Sequence, residues 1–133
     1  MLEDARKESF DNGRKGLYSI LEYMMGKMYL KIVQKEAPLK LSILVKNIGF
    51  LAKNVPTAGK KAEAHFKKSI EVSKEIGAKY ILAEAYLSLG LLHKAEKRTE
   101  EARKNISKAI HIFEQIDAKG YFKQAKEALA SLG

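Results

Sequence analysis

The stretch from Ala78 to Gly120 alternates large and small apolar residues in a way that few folds accommodate. Tyr86, Leu89, Gly90 and His93 fall on one helical pattern. After a break at Lys97–Thr99, Ala102, Ile106 and Ala109 fall on a second. Two helices joined by so short a break run antiparallel. Gly90 and Ala102 lack the bulk that holds backbones apart, so the helices can cross closely, and Ile106 fills the space that remains. One such hairpin cannot enclose its own apolar face, so the chain around it must supply further helices to stack against it.

The chain repeats itself accordingly. A shift of forty places lays Ala62, Ile70, Ile76 and Ala85 on Ala102, Ile110, Ile116 and Ala125. A shift of sixty-four lays Gly13 on Gly77, Lys15 on Lys79 and Gly26 on Gly90, with the two glycines thirteen apart in both copies. In that register residues 15–34 correspond to 79–96, and residues 35–58 are an insertion of about one helix and its turns. A rival shift of forty-one sets Ile48, Gly49 and Leu51 on Leu89, Gly90 and Leu92, making 38–53 the first helix of an ordinary repeat. Both registers predict seven helices.

Those helices are predicted at 2–12, 15–34, 38–53, 57–76, 79–96, 99–116 and 120–131. Asn12-Gly13 reads as a stop, Pro38 as a break, Gly77 as a C-terminal cap and Thr99 as an N-terminal cap. On 15–34 the predicted core stripe is Leu17, Ile20, Leu21, Met24, Met25, Met28 and Ile32, the methionine group also suiting an adaptable binding surface. On 38–53 the stripe is Leu41, Leu44, Val45, Ile48, Leu51 and Ala52. Helix 120–131 reads as a cap, with Tyr121, Ala125, Ala128 and Leu129 facing inward and Lys123, Gln124, Lys126 and Glu127 facing water. The segment at 2–12 reads as the second half of a repeat that begins upstream, whose open end can pair with another copy.

The spacing of Tyr86, Leu89-Gly90, His93, Ala102, Ile106 and Ala109 resembles a tetratricopeptide repeat (TPR). His93 stands where that family usually has Tyr, Ile106 where it often has Phe, and Glu114 where a Pro commonly ends the unit. The segments KKAEAHFKKSIEVSKEIGAK and AEAYLSLGLLHKAEKRTEEARKNISKAI, with KQAKEALASL, are similar to the C-terminal repeats of bacterial multidomain signalling proteins that carry a nucleotide cyclase or NTP-hydrolysing domain upstream. The likeness spans roughly residues 15–132 and concerns repeat motifs alone, so no enzymatic activity follows from it. It implies an all-α antiparallel helix-hairpin solenoid, a single domain over residues 1–133. It also implies a concave groove lined by the first helix of each pair: Tyr23, Lys27 and Leu30, then Glu84, Leu87, Leu91 and Lys94, then Gln124 and Glu127.

Composition narrows the function. Hydrophobic residues make up 46% and charged residues 31% of 133, a globular balance, and there is no cysteine to form a disulfide, thiolate metal site or thiol nucleophile. No apolar run approaches the ~20 residues of a membrane span, and the N-terminus lacks a signal-peptide core, so the expected location is cytoplasmic. The net charge of +9 is mostly lysine. It allows salt-sensitive attraction to nucleic acid, but base readers lean on arginine and single-strand binders interleave exposed aromatics, and neither pattern is present.

Motifs for chemistry are wanting. Val55–Lys61 has Asn54 and Lys61 where a phosphate loop needs Gly and Ser or Thr. His65, His93 and His111 fall on separate helices without ligand spacing. Glu100-Glu101 and Glu71–Glu75 sit among lysines as halves of surface ion pairs. The expectation is a non-enzymatic module without cofactor or metal that binds a peptide or helix, or its own copy, as part of a signalling system. The alternative is a basic nucleic-acid-binding adaptor.

Overall fold

The computed structural model describes residues 2–34 and 57–133, and the described chain is all helical. It forms α1 (Leu2–Gln34), α2 (Ala58–Ile76), α3 (Lys79–Ala95), α4 (Thr99–Gln115) and α5 (Lys119–Ala130). The predicted helices at 2–12 and 15–34 are one helix, and 38–53 lies outside the described residues, so five helices stand among the described residues where seven were expected. Asn12-Gly13 does not stop α1. Gly13 stays helical, and a Cβ placed on it would meet nothing within 4 Å, so no neighbouring element demands a turn there. Without that demand, the helix keeps its hydrogen bonds and tolerates the glycine at about 1 kcal/mol.

Three turns of one design connect the later helices. Gly77, Lys97 and Asp117 are twenty residues apart and all take the left-handed conformation, at φ 71°, 62° and 55°. In each, the next residue's N–H reaches back over the helix end: Ala78 to the Ser73 carbonyl (2.9 Å), Arg98 to His93 (2.8 Å) and Ala118 to Phe113 (3.0 Å). The left-handed residue itself donates to the carbonyl three before it, at Lys74, Lys94 and Glu114. This paired pattern satisfies carbonyls that a helix end would otherwise leave open. Thr99, expected as a cap, is the first residue of α4, and Arg98 precedes it without a side-chain capping bond.

Helices α1, α3 and α5 run one way, α2 and α4 the other. Lys15–Glu75, Ser19–Ser73 and Glu22–His65 align α1 with α2 head to tail. Tyr80–Tyr121 and Lys94–Ser131 lay α3 and α5 side by side. The core runs through Leu30, Ala62, Phe66, Tyr86, Leu89, Leu92, Ile106, Ala109, Phe113 and Ala125. His93, where the repeat pattern has an aromatic, is 4% exposed and accepts a hydrogen bond at Nδ1 from the Asn105 amide (3.1 Å).

The buried face of α1 is not the predicted one. Leu17, Ile20, Leu21, Met24, Met25 and Met28 are exposed, while Ser19, Gly26 and Leu30 turn inward. Helix α1 is apolar around much of its circumference between Leu17 and Val33, so periodicity offers two candidate stripes. Packing selects the one with small residues, because α2 presents the bulky Phe66 beside Ser69 and Ser73. Ser19 Oγ lies 2.6 Å from Ser73 Oγ, and Ser69 Oγ donates to the Ser19 carbonyl (2.9 Å), so these buried hydroxyls satisfy one another.

Candidate interaction surfaces

The nine groove residues expected from sequence fall into two sets of four, with Lys27 apart on α1. Tyr23 and Glu84 meet between α1 and α3, and Leu30 and Leu87 are buried in the core. The Tyr23 hydroxyl donates to Glu84 Oε2 (2.6 Å), and Leu30 and Leu87 are 3% and 4% exposed. Burial, the hydrogen bond to Glu84 and the charge of Glu84 push the Tyr23 hydroxyl well above its ordinary pKa, against a smaller opposing effect of Ser88. Lys27 Nζ lies 5.8 Å from the Tyr23 ring centroid. The other residues remain on the surface of α3 and α5. Leu91 is half-buried, Lys94 donates to Ser131 Oγ (2.8 Å), and Gln124 and Glu127 are exposed.

Two concavities border the helix pairs. The larger, about 410 Å³, is lined by Lys74, Leu82, Tyr86, Lys108, His111 and Ile112. Lys74 and Lys108 place their ammonium groups 5.6 and 5.2 Å from the buried Tyr86 ring, so cations frame an apolar floor. The smaller, about 220 Å³, holds Glu63 among Lys67, His93 and Arg98. Burial alone would raise the Glu63 carboxyl. The Lys67 hydrogen bond and the charges of Lys67, Arg98 and His93 outweigh it and hold the group below its usual value. Arg98 also pairs with Glu101 and Glu96. Glu63, Glu96 and Glu101 are engaged by Lys67 and Arg98, which suits a structural knot between α2, α3 and the start of α4, with Lys104 and Lys108 also lining the cleft. No group of three or more potential ligands converges on a metal position among the described residues.

The most distinctive surface is on α1. Leu17, Tyr18, Ile20, Leu21, Met24, Met25 and Met28 are 40–59% exposed. At about 100° per residue, Leu17, Leu21, Met24 and Met28 lie roughly opposite the Ser19–Gly26–Leu30 face. Helix α1 thus has its core side on α2 and α3 and a second apolar side facing away from the stack. The opposite end of the stack differs in kind. Helix α5 turns Lys119, Lys123, Lys126 and Glu127 to water, and its exposed Tyr121 stacks on Phe113 (5.5 Å) and meets Tyr80 edge-on (5.3 Å). The sequence contained the signal for the α1 surface in the Met24-Met25-Met28 group, but periodicity alone could not choose between core and surface.

No family model, curated protein or solved structure matches the chain. No helix among the described residues is long and apolar enough to cross a membrane.

Proposed function

We propose that this chain is a non-enzymatic, TPR-like interaction module, a short stack of helical hairpins that takes a polypeptide partner and serves as a cytoplasmic scaffold or regulatory part of a signalling system. The observation that carries the reading is the apolar face of α1. Folded monomers rarely leave contiguous apolar patches beyond a few hundred Å², and larger ones mark docking sites. The repeated turns at Gly77, Lys97 and Asp117 and the matched close approaches at Gly26 and Gly90 support a stack of equivalent hairpins. The accessible remainder of the expected groove, Leu91, Lys94, Gln124 and Glu127, offers a mixed apolar and charged strip suited to an extended or helical segment.

The test is retention of a partner by the immobilised protein from source-cell lysate, with nuclease, at low and high salt. A defined polypeptide should remain at high salt and be lost with Leu21→Glu or Leu91→Glu, each of which should leave helical circular dichroism unchanged. Retention of nucleic acid alone, and only at low salt, would replace this reading with that of a basic adaptor.

A further inference from the structure

The geometry points to a second copy of this chain as the occupant of the α1 face, paired antiparallel to form a two-fold dimer. This rests on the reading of the chain as an interaction module and names the partner of its principal surface.

Two observations carry it. The first is area. Seven side chains of roughly 200 Å² each, 40–59% exposed, leave on the order of 700 Å² of accessible apolar surface. A stable protein–protein interface takes about 800 Å² from each partner, so this one face approaches what a dimer needs. The second is spacing. Leu17, Leu21, Met24 and Met28 follow one another by four, three and four residues, the seam by which two helices interlock side chains. That pattern is self-complementary about a two-fold axis between Leu21 and Met24, which sets Leu17 of one copy against Met28 of the other. The antiparallel arrangement, unlike a parallel one, also opposes the two helix dipoles.

The experiment is sedimentation of the full chain across about 1–100 µM, micromolar being the range in which a face of this size associates. The expected result is a dimer of twice 14.9 kDa. Leu21→Glu with Met24→Glu should weaken it at least about 100-fold, because each copy would bring two desolvated charges into the seam. Helical circular dichroism should persist, since both side chains are exposed in the single chain. The natural absence of cysteine allows an orientation test. Leu17→Cys mixed with Met28→Cys should form a cross-chain disulfide on mild oxidation, and neither variant alone should. A chain that stays monomeric at 100 µM would overturn the proposal, and so would a dimer indifferent to the double substitution. Cross-linking by Leu17→Cys alone would overturn the antiparallel pairing. Sedimentation with anionic vesicles by a monomer would give the face to a membrane instead. A monomer that still retains a different polypeptide through Leu21 would defeat self-pairing while leaving the interaction reading in place.

Discussion

Phe66 lies across Gly26 so closely that a Cβ on the glycine would stand 2.6 Å from the ring, and Ile106 bears on Gly90 in the same way at 2.5 Å. The two contacts hold α1 to α2 and α3 to α4. They are related by the same shifts of sixty-four and forty places that lay one part of the sequence on another.

Gly26→Ala and Gly90→Ala should therefore both destabilise, although alanine is by itself the better helix former by about 1 kcal/mol. Overpacking costs typically 1–3 kcal/mol or more, which outweighs that gain. Gly90 should suffer more. Its added methyl would also press on backbone, the Ala102 carbonyl oxygen and the Ile106 nitrogen, both at 3.2 Å, whereas the nearest atoms at Gly26 all belong to the Phe66 ring. Urea unfolding should show Phe66→Leu partly rescuing Gly26→Ala, with no comparable rescue of Gly90→Ala by Ile106→Val.

Lys97→Gly and Asp117→Gly should stabilise. Both residues hold the left-handed conformation that Gly77 holds without strain, at a cost of roughly 1–2 kcal/mol for a residue with a side chain. Relief should reach about 1 kcal/mol at each site, less the glycine's greater freedom in the unfolded chain, or several degrees in Tm for a domain of this size. A fall in Tm at both sites would contradict the strain argument.

Tyr23→Phe should cost about 1–3 kcal/mol at neutral pH, because Glu84 Oε2 loses its donor while Glu84 Oε1 is already buried without a partner. The substitution should also change the alkaline limb. The hydroxyl's pKa is raised above its ordinary 10 in the folded chain, so its contribution is complete below pH 10 and is lost as pH climbs through the raised value. Denaturation at increasing pH above 10 should show the wild type losing stability faster than Tyr23→Phe.

Glu63 makes the opposite case. Its carboxyl lies below the ordinary value of 4.5 despite burial, held there chiefly by Lys67 and then Arg98 and His93. A depressed acid contributes stability above its unfolded pKa and loses it as pH falls through the folded one. The stability difference between wild type and Glu63→Gln should hold near pH 6 and shrink toward about pH 3. A difference that stays constant through that range would remove the ion cluster as its cause.

Much of this architecture is legible along the chain. The inward residues of α2 and α4, Ala62, Phe66, Ile70, Ala102, Ile106 and Ala109, recur at helical spacing beside strongly polar faces, so a single stripe answers the question of burial. His93 is readable as a core residue from its place in the repeat. The candidate surfaces are less legible. The groove positions on α1 and α3 follow from the repeat pattern alone, whereas Tyr23 and Glu84 are hydrogen-bonded to each other between those helices and Leu30 and Leu87 are buried in the core. How much of a groove stays open depends on how closely neighbouring helices approach, and no local pattern records that distance.

The amino-acid order by itself determined that the chain is helical, where its small residues permit close crossings, and that its charge is basic overall. These follow from side-chain size, spacing and ionisation, which are properties of the chain before it folds. Tertiary structure decided that Lys97 and Asp117 share the conformation of Gly77, since the stacking of successive hairpins imposes the turn whatever residue occupies it. It also decided which side of α1 is core. Hydrophobicity favoured the Leu17–Met28 stripe. The Phe66 ring is seated against Gly26, and the closer fit outweighed the greater apolar area left facing outward.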